Sequence, residues 1–225
     1  MSILVKICGL STPETLEAAI EAGAGMVGFV FFAPSPRNLS LDQARALGQQ
    51  AAGRTLKVAL SVDADDGFLD ACVDACRPDL LQLHGRESPQ RVLDLKARFH
   101  LPVMKAIHVS SAEDLASVSL YEGVADRLIF DARPPKGAVL PGGNGAAFDW
   151  RILDHVRTQT PWMLSGGVNI DNVAAAIAMT GARGIDVSSG VERSPGVKDP
   201  ALIRLFVERA QGAAFKPLGS PVATA

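Results

Sequence analysis

Along the chain, short apolar runs alternate with longer stretches in which apolar positions recur every third or fourth residue. The runs begin at Leu4, Met26, Leu56, Leu80, Val103, Arg127, Trp162 and Gly184, and each is followed by a segment of helical periodicity. Runs such as Val27-Gly28-Phe29-Val30-Phe31 and Leu80-Leu81-Gln82-Leu83 are nearly continuous in apolar side chains, as a strand requires when both faces of a parallel sheet are covered. Helix starts fall in the expected places. Ser11-Thr12-Pro13-Glu14 offers an N-cap, an early proline and a negative charge, and Ser88-Pro89 repeats the device. The helix from Thr12 to Ala22 gathers Leu16, Ala19 and Ile20 on one side and ends at Gly23, while a later one opens at Asn169 and closes at Gly181.

The strand–helix units predict an α/β protein, a (β/α)8 TIM barrel formed as a single domain over residues 1–211. An open doubly wound sheet shares the strand pattern, but no GxGxxG follows the first strand. The segment from Gly212 to Ala225, rich in Ala, Pro and Gly, is expected to be disordered. Two intervals between strands are longer than the rest, and the excess lies at Phe32 to Leu39 and Ala132 to Ala147. Both follow a strand, so both would stand over the C-terminal mouth of the barrel. The last two strands end there in Ser165-Gly166-Gly167 and Ser188-Ser189-Gly190, small residues whose open backbone N–H groups suit a phosphate.

With 225 residues, 48% of them hydrophobic, the chain can bury one barrel-sized core. Lys and Arg number 22 against 24 Asp and Glu, a balance that gives no electrostatic footprint for nucleic acid or an anionic membrane, so with the glycine-rich strand ends the expected partner is a small phosphorylated molecule. No export signal or bilayer-length apolar helix is visible, which implies a cytoplasmic protein. Cys8, Cys72 and Cys76 form neither a disulfide framework nor a zinc motif, and the four histidines lack HExxH spacing. Neither metal nor cofactor is expected, and a homodimer is compatible with the sequence.

At the mouth, Cys8 ends the first strand beside Gly9, which would permit close approach of a substrate; the thiol is either a catalytic group or a small buried hydrophobe. Asp131 ends the sixth strand, as an acid–base group or a cap for the long loop after it. Arg37, in Ser35-Pro36-Arg37-Asn38, either presents a carboxylate-binding fork inward or is solvated. His84 either binds substrate or ties loops together. Asp186 either faces the lumen and a substrate or is a paired structural carboxylate, and Lys105, if lumenal, raises Schiff-base chemistry. Cys72 and Cys76, four apart on one helix, read as core.

Lys6-Ile7-Cys8-Gly9, Val27-Gly28-Phe29-Val30-Phe31, Ser35-Pro36-Arg37, Gln82-Leu83-His84-Gly85, Phe148-Asp149-Trp150, Leu164-Ser165-Gly166-Gly167 and Asp186-Val187-Ser188-Ser189-Gly190-Val191-Glu192 form an ordered set. Together they resemble the phosphoribosylanthranilate isomerases of tryptophan biosynthesis. That resemblance implies an Amadori rearrangement with Cys8 as general base, Asp131 as general acid and Arg37 on the anthranilate carboxylate. It maps the phosphate site to the backbone around Gly166, Gly167, Ser189 and Gly190. Gly142-Gly143-Asn144-Gly145 resembles the family's glycine-rich loop. Val58-Ala59-Leu60-Ser61-Val62-Asp63 departs from the usual third-strand run, so the wall beneath the ring should differ. The rival readings are another phosphosugar barrel enzyme, of the epimerase or indole-glycerol-phosphate synthase type, and a non-catalytic phosphosugar-binding barrel.

Overall fold

In the computed structural model, which describes residues 3–134, 137, 140, 142, 143, 145 and 147–213, every one of the expected strand starts is a strand start. The strands are β1 (Leu4–Cys8), β2 (Met26–Phe31), β3 (Leu56–Ser61), β4 (Leu80–Leu83), β5 (Val103–Val109), β6 (Arg127–Ala132), β7 (Trp162–Leu164) and β8 (Gly184–Val187). They pair in parallel in chain order, and β1 closes on β8 with Lys6 opposite Asp186. The TIM barrel expected from the sequence is the fold. Its last strand residues and the loops after them form one rim, which is why residues distant in sequence share a site.

Around the barrel lie α1 (Pro13–Glu21), α2 (Leu41–Ala51), α3 (Asp66–Cys76), α4 (Pro89–Phe99), α5 (Val118–Tyr121), α6 (Val173–Thr180) and α7 (Pro200–Gln211). Thr12 and Ser88 cap α1 and α4 through their hydroxyls, as the sequence predicts. Outward strand residues such as Ile7, Phe29, Leu81 and Phe130 are buried with Leu16, Leu47, Leu95 and Phe206 of the helices. Inside, Met26, Val58, Leu80, Met104, Ile129 and Met163 fill the floor, leaving polar groups to the layers above.

Three local expectations are corrected. After β5 the chain forms a 3-10 helix, Ala112–Ser117, and only then the short α5. Asp114 there accepts from Ser110 N, Ser110 Oγ and Ser111 N, local bonds that compete with regular helix. After β6 a 3-10 helix, Trp150–His155, replaces the expected α-helix. The helix expected to open at Asn169 begins at Val173, because Asn169 and Asn172 first fold a turn through side-chain bonds to Asp171 N and Asn169 N. Its end at Gly181 is as expected. A small antiparallel hairpin, β9 (Glu192–Ser194) and β10 (Val197–Lys198), follows β8. Of the tail expected to be disordered, residues 214–225 lie outside the described residues, as does Asn144. No helix among the described residues is long and apolar enough to cross a membrane.

Candidate active site

A cavity opens at the C-terminal mouth. Cys8, Arg37, His84, Asp131, Gly142, Gly143, Gly166, Gly167, Asp186 and Ser189 all line it. Gly190 is not among the lining residues; a side chain there would run into Val168 O and Asn169, so glycine lets the β8 turn pack against the β7 loop. Leu60 and Val62, from the unusual third-strand run, form an apolar wall with Val30 and Phe32.

Asp131, buried at the end of β6, is gripped from two sides. Its Oδ1 accepts from Ala132 N at 2.9 Å, and its Oδ2 lies 3.0 Å from His84 Nε2. His84 Nδ1 meets Gln82 Nε2 at 2.9 Å. An amide nitrogen only donates, so in this orientation Nδ1 accepts and Nε2–H points at Asp131. Gly142 closes over the pair, since a side chain there would come within 2.5 Å of Asp131 Oδ2. Lys105 is corrected here. It points out of the barrel, donating to Leu83 O, Gly85 O and Ala106 O and pairing with Glu87 at 3.1 Å. Parity along β5 decides this, because Met104 and Ala106 face the lumen. A lysine held behind the sheet cannot form a lumenal Schiff base, but it braces the backbone on both sides of His84.

The lumenal lysine is Lys6, which the sequence reading did not single out. It is fully buried and donates to Asp186 Oδ1 at 2.8 Å, while Ser165 Oγ donates to Asp186 Oδ2 at 3.1 Å. Asp186 is therefore a lumenal carboxylate that is already paired. Burial alone would lower the Lys6 pKa, but Asp186 and Cys8 more than offset this and raise it, so the ammonium persists. Cys8 sits next to this pair. Burial, and secondarily Asp186, push its thiol above the ordinary range, with Lys6 and Lys198 pulling the other way.

Arg37 is also buried, and its fork is already engaged: Nε and Nη2 meet Glu192 at 2.7 and 2.8 Å, and Nη2 donates to Gly143 O at 3.3 Å. Nη1 has no hydrogen-bond partner among the described residues, leaving one edge of the guanidinium toward the cavity. Gly9 makes room for the arginine stem, since a side chain there would strike Arg37 Cδ. Lys198, from β10, shares Glu192 at 2.7 Å and also donates to Ser188 O. Burial, outweighing Glu192, pulls Lys198 down to about 8; Arg37 and Lys198 overcome the burial of Glu192 and hold its carboxyl at about 2.

The opposite end of the cavity is backbone. Gly166 and Gly167 have φ of +79° and +70°, a left-handed pair that most side chains resist. Side chains would also collide with Ala132 N and Ala147 Cα. Their N–H groups, like that of Ser189, have no acceptor among the described residues.

The chain has clear relatives among known proteins. The model of the N-(5'phosphoribosyl)anthranilate (PRA) isomerase family matches residues 5–209. The chain belongs to that family. Among PRA isomerases, it is 61% identical over 213 residues to the enzyme named N-(5'-phosphoribosyl)anthranilate isomerase of Bradyrhizobium sp. (strain ORS 278), covering 95% of this chain and 97% of that one. Against the similarly named protein of Rhodopseudomonas palustris the identity is 60%, covering 95% and 100%. The crystal structure of the PRA isomerase from Thermotoga maritima superposes with a TM-score of 0.81 at 32% identity, over 93% of this chain and 99% of that one. A PRA isomerase crystallised with reduced 1-(o-carboxyphenylamino)-1-deoxyribulose 5-phosphate gives 0.79 at 31%, with the same coverage.

Proposed function

We propose that the chain catalyses the Amadori rearrangement of N-(5'-phosphoribosyl)anthranilate to 1-(2-carboxyphenylamino)-1-deoxyribulose 5-phosphate, an intramolecular aldose–ketose isomerisation. The observation that carries it is one cavity holding a thiol, a histidine-braced carboxyl group, a free guanidinium edge and a bed of open N–H groups. Each suits one part of that substrate. The N–H groups of Gly166, Gly167 and Ser189 would hold the phosphate, with Gly190 packing the turn beneath. Arg37 would grip the anthranilate carboxylate through Nη1, with the ring against Leu60 and Val62.

Asp131, as the carboxylic acid, would protonate the furanose ring oxygen as the C1–O bond breaks and an iminium forms. Cys8, as thiolate, would then remove the C2 proton, and the electron pair flows to nitrogen to give an enolamine. Tautomerisation yields the ketone, so the oxidation at C2 balances the reduction at C1. While Asp131 carries its proton, Oδ2–H donates to His84 Nε2, and His84 Nδ1–H can donate to Gln82 Oε1 once the amide turns over. That oxygen is buried without a partner in the present orientation. Lys6 and Lys198 supply the positive field a buried thiolate requires. Three free cysteines suit a reducing compartment, and we place the enzyme in the cytoplasm.

The reading of Arg37 is tested with a substrate analogue lacking the ring carboxylate. Arg37→Ala should lose about 10- to 150-fold in kcat/KM on the true substrate, the equivalent of about 1.5–3 kcal/mol for one charge-assisted contact. On the analogue the variant and its parent should differ little. An unchanged preference ratio would reassign the arginine.

A further inference from the structure

We propose that His84, His108 and Asp131 form a binding site for a zinc-class divalent cation, which would block the catalytic acid. One ligand atom from each residue lies within 4.8 Å of the other two. His84 Nε2 and Asp131 Oδ2 stand 3.0 Å apart, a few tenths of an ångström short of the roughly 3.3 Å that separates two ligands each about 2.0–2.1 Å from one tetrahedral zinc ion. The His84 and His108 rings are 5.2 Å apart between centroids and inclined by 69°. Two imidazoles on one ion place their centroids about 5 Å apart at the same bond lengths. Neither pair has to move far.

The chemistry of the donors agrees. His108 Nδ1 is buried with no partner among the described residues. His108 Nε2 lies 3.3 Å from His84 O, a carbonyl that only accepts, so Nε2 carries the proton and Nδ1 keeps its lone pair. Two imidazoles and one carboxylate suit zinc, nickel or copper rather than magnesium or calcium. Gln82 supplies the supporting contact, because a metal on Nε2 leaves a proton on Nδ1 that Oε1 accepts once the amide turns over. His84 and Asp131 face the cavity, from which the ion could enter and take water as its remaining ligand.

The ion would replace the proton shared by Nε2 and Oδ2, which leaves to solvent, and a metal-bound carboxylate cannot protonate a ring oxygen. The inhibitory part of the proposal rests on Asp131 being the acid; the binding part does not. The test uses chelator-treated protein, with zinc chloride as probe and two readouts, calorimetric binding and turnover. One zinc per chain is expected to bind, and turnover should fall and return on adding chelator; magnesium should do neither.

His108→Ala should weaken zinc binding by at least about 10-fold, while turnover of the chelator-treated variant stays within a few-fold of the parent. His108→Asn serves if the alanine variant does not fold. Equal zinc affinity in parent and variant overturns the site, as does a thiolate charge-transfer band when cobalt replaces zinc, since that puts the ion on Cys8. Zinc binding that leaves turnover intact overturns the inhibition. A chelator-treated protein that binds zinc in this way but never turns over the substrate supports the site and counts instead against the isomerase reading.

Discussion

Replacing Cys8 with Ala, or Asp131 with Asn, is expected to lower kcat by about 10²- to 10⁴-fold, the usual cost of losing a positioned proton-transfer group. Binding of a product analogue should survive, because neither change touches the guanidinium edge or the glycine bed. Asn at 131 can still accept from Ala132 N and meet His84, so its defect isolates the missing proton rather than a collapsed loop. The other thiols are the control. Cys72 and Cys76 lie on α3, are buried in the outer core, and are each pushed up to about 12 chiefly by that burial. Alanine at either should cost stability and leave kcat alone. A Cys8 or Asp131 variant within a few-fold of the parent sinks the assignment.

Glu192→Ala is expected to destabilise the fold by about 3–5 kcal/mol, since it strips the shared anion from two buried cations, Arg37 and Lys198. Urea titration measures it, and a loss below about 1 kcal/mol would show the triad to be dispensable. The same variant should reshape acid unfolding. Glu192 titrates at about 2 in the folded chain against about 4.5 when unperturbed, so its contribution is fully present above about 4.5 and disappears as pH falls toward about 2. Over that window the parent should lose more stability than the variant. Substrate affinity should also drop, because Arg37 loses its anchor.

The eight strand starts were legible because a strand covered on both faces is a solid apolar run, which stands out between helical segments. That same property hid the lumen. A strand apolar on both sides carries no alternation, so nothing in the sequence says which of Lys6 and Lys105 points inward. Closure of the barrel decides it, by putting Lys6 opposite Asp186 and Lys105 beside Glu87. The Arg37–Glu192 contact escaped for a related reason, since it joins a loop after β2 to a hairpin after β8 through a ring that local pattern cannot see. Cys8, Asp131 and Arg37 could be placed at one cavity from the sequence because strand ends and inserted loops gather at one rim. Gly190 stands just outside the cavity that its chain neighbour Ser189 lines, a packing detail that local pattern does not show.

The most direct test of the account is the turnover of N-(5'-phosphoribosyl)anthranilate by purified, chelator-treated protein, followed as loss of substrate fluorescence. The account predicts saturable, single-product conversion to the deoxyribulose phosphate in the parent and its near absence in both the Cys8→Ala and Asp131→Asn variants. An inactive, folded parent, or conversion that persists undiminished in both variants, would contradict it.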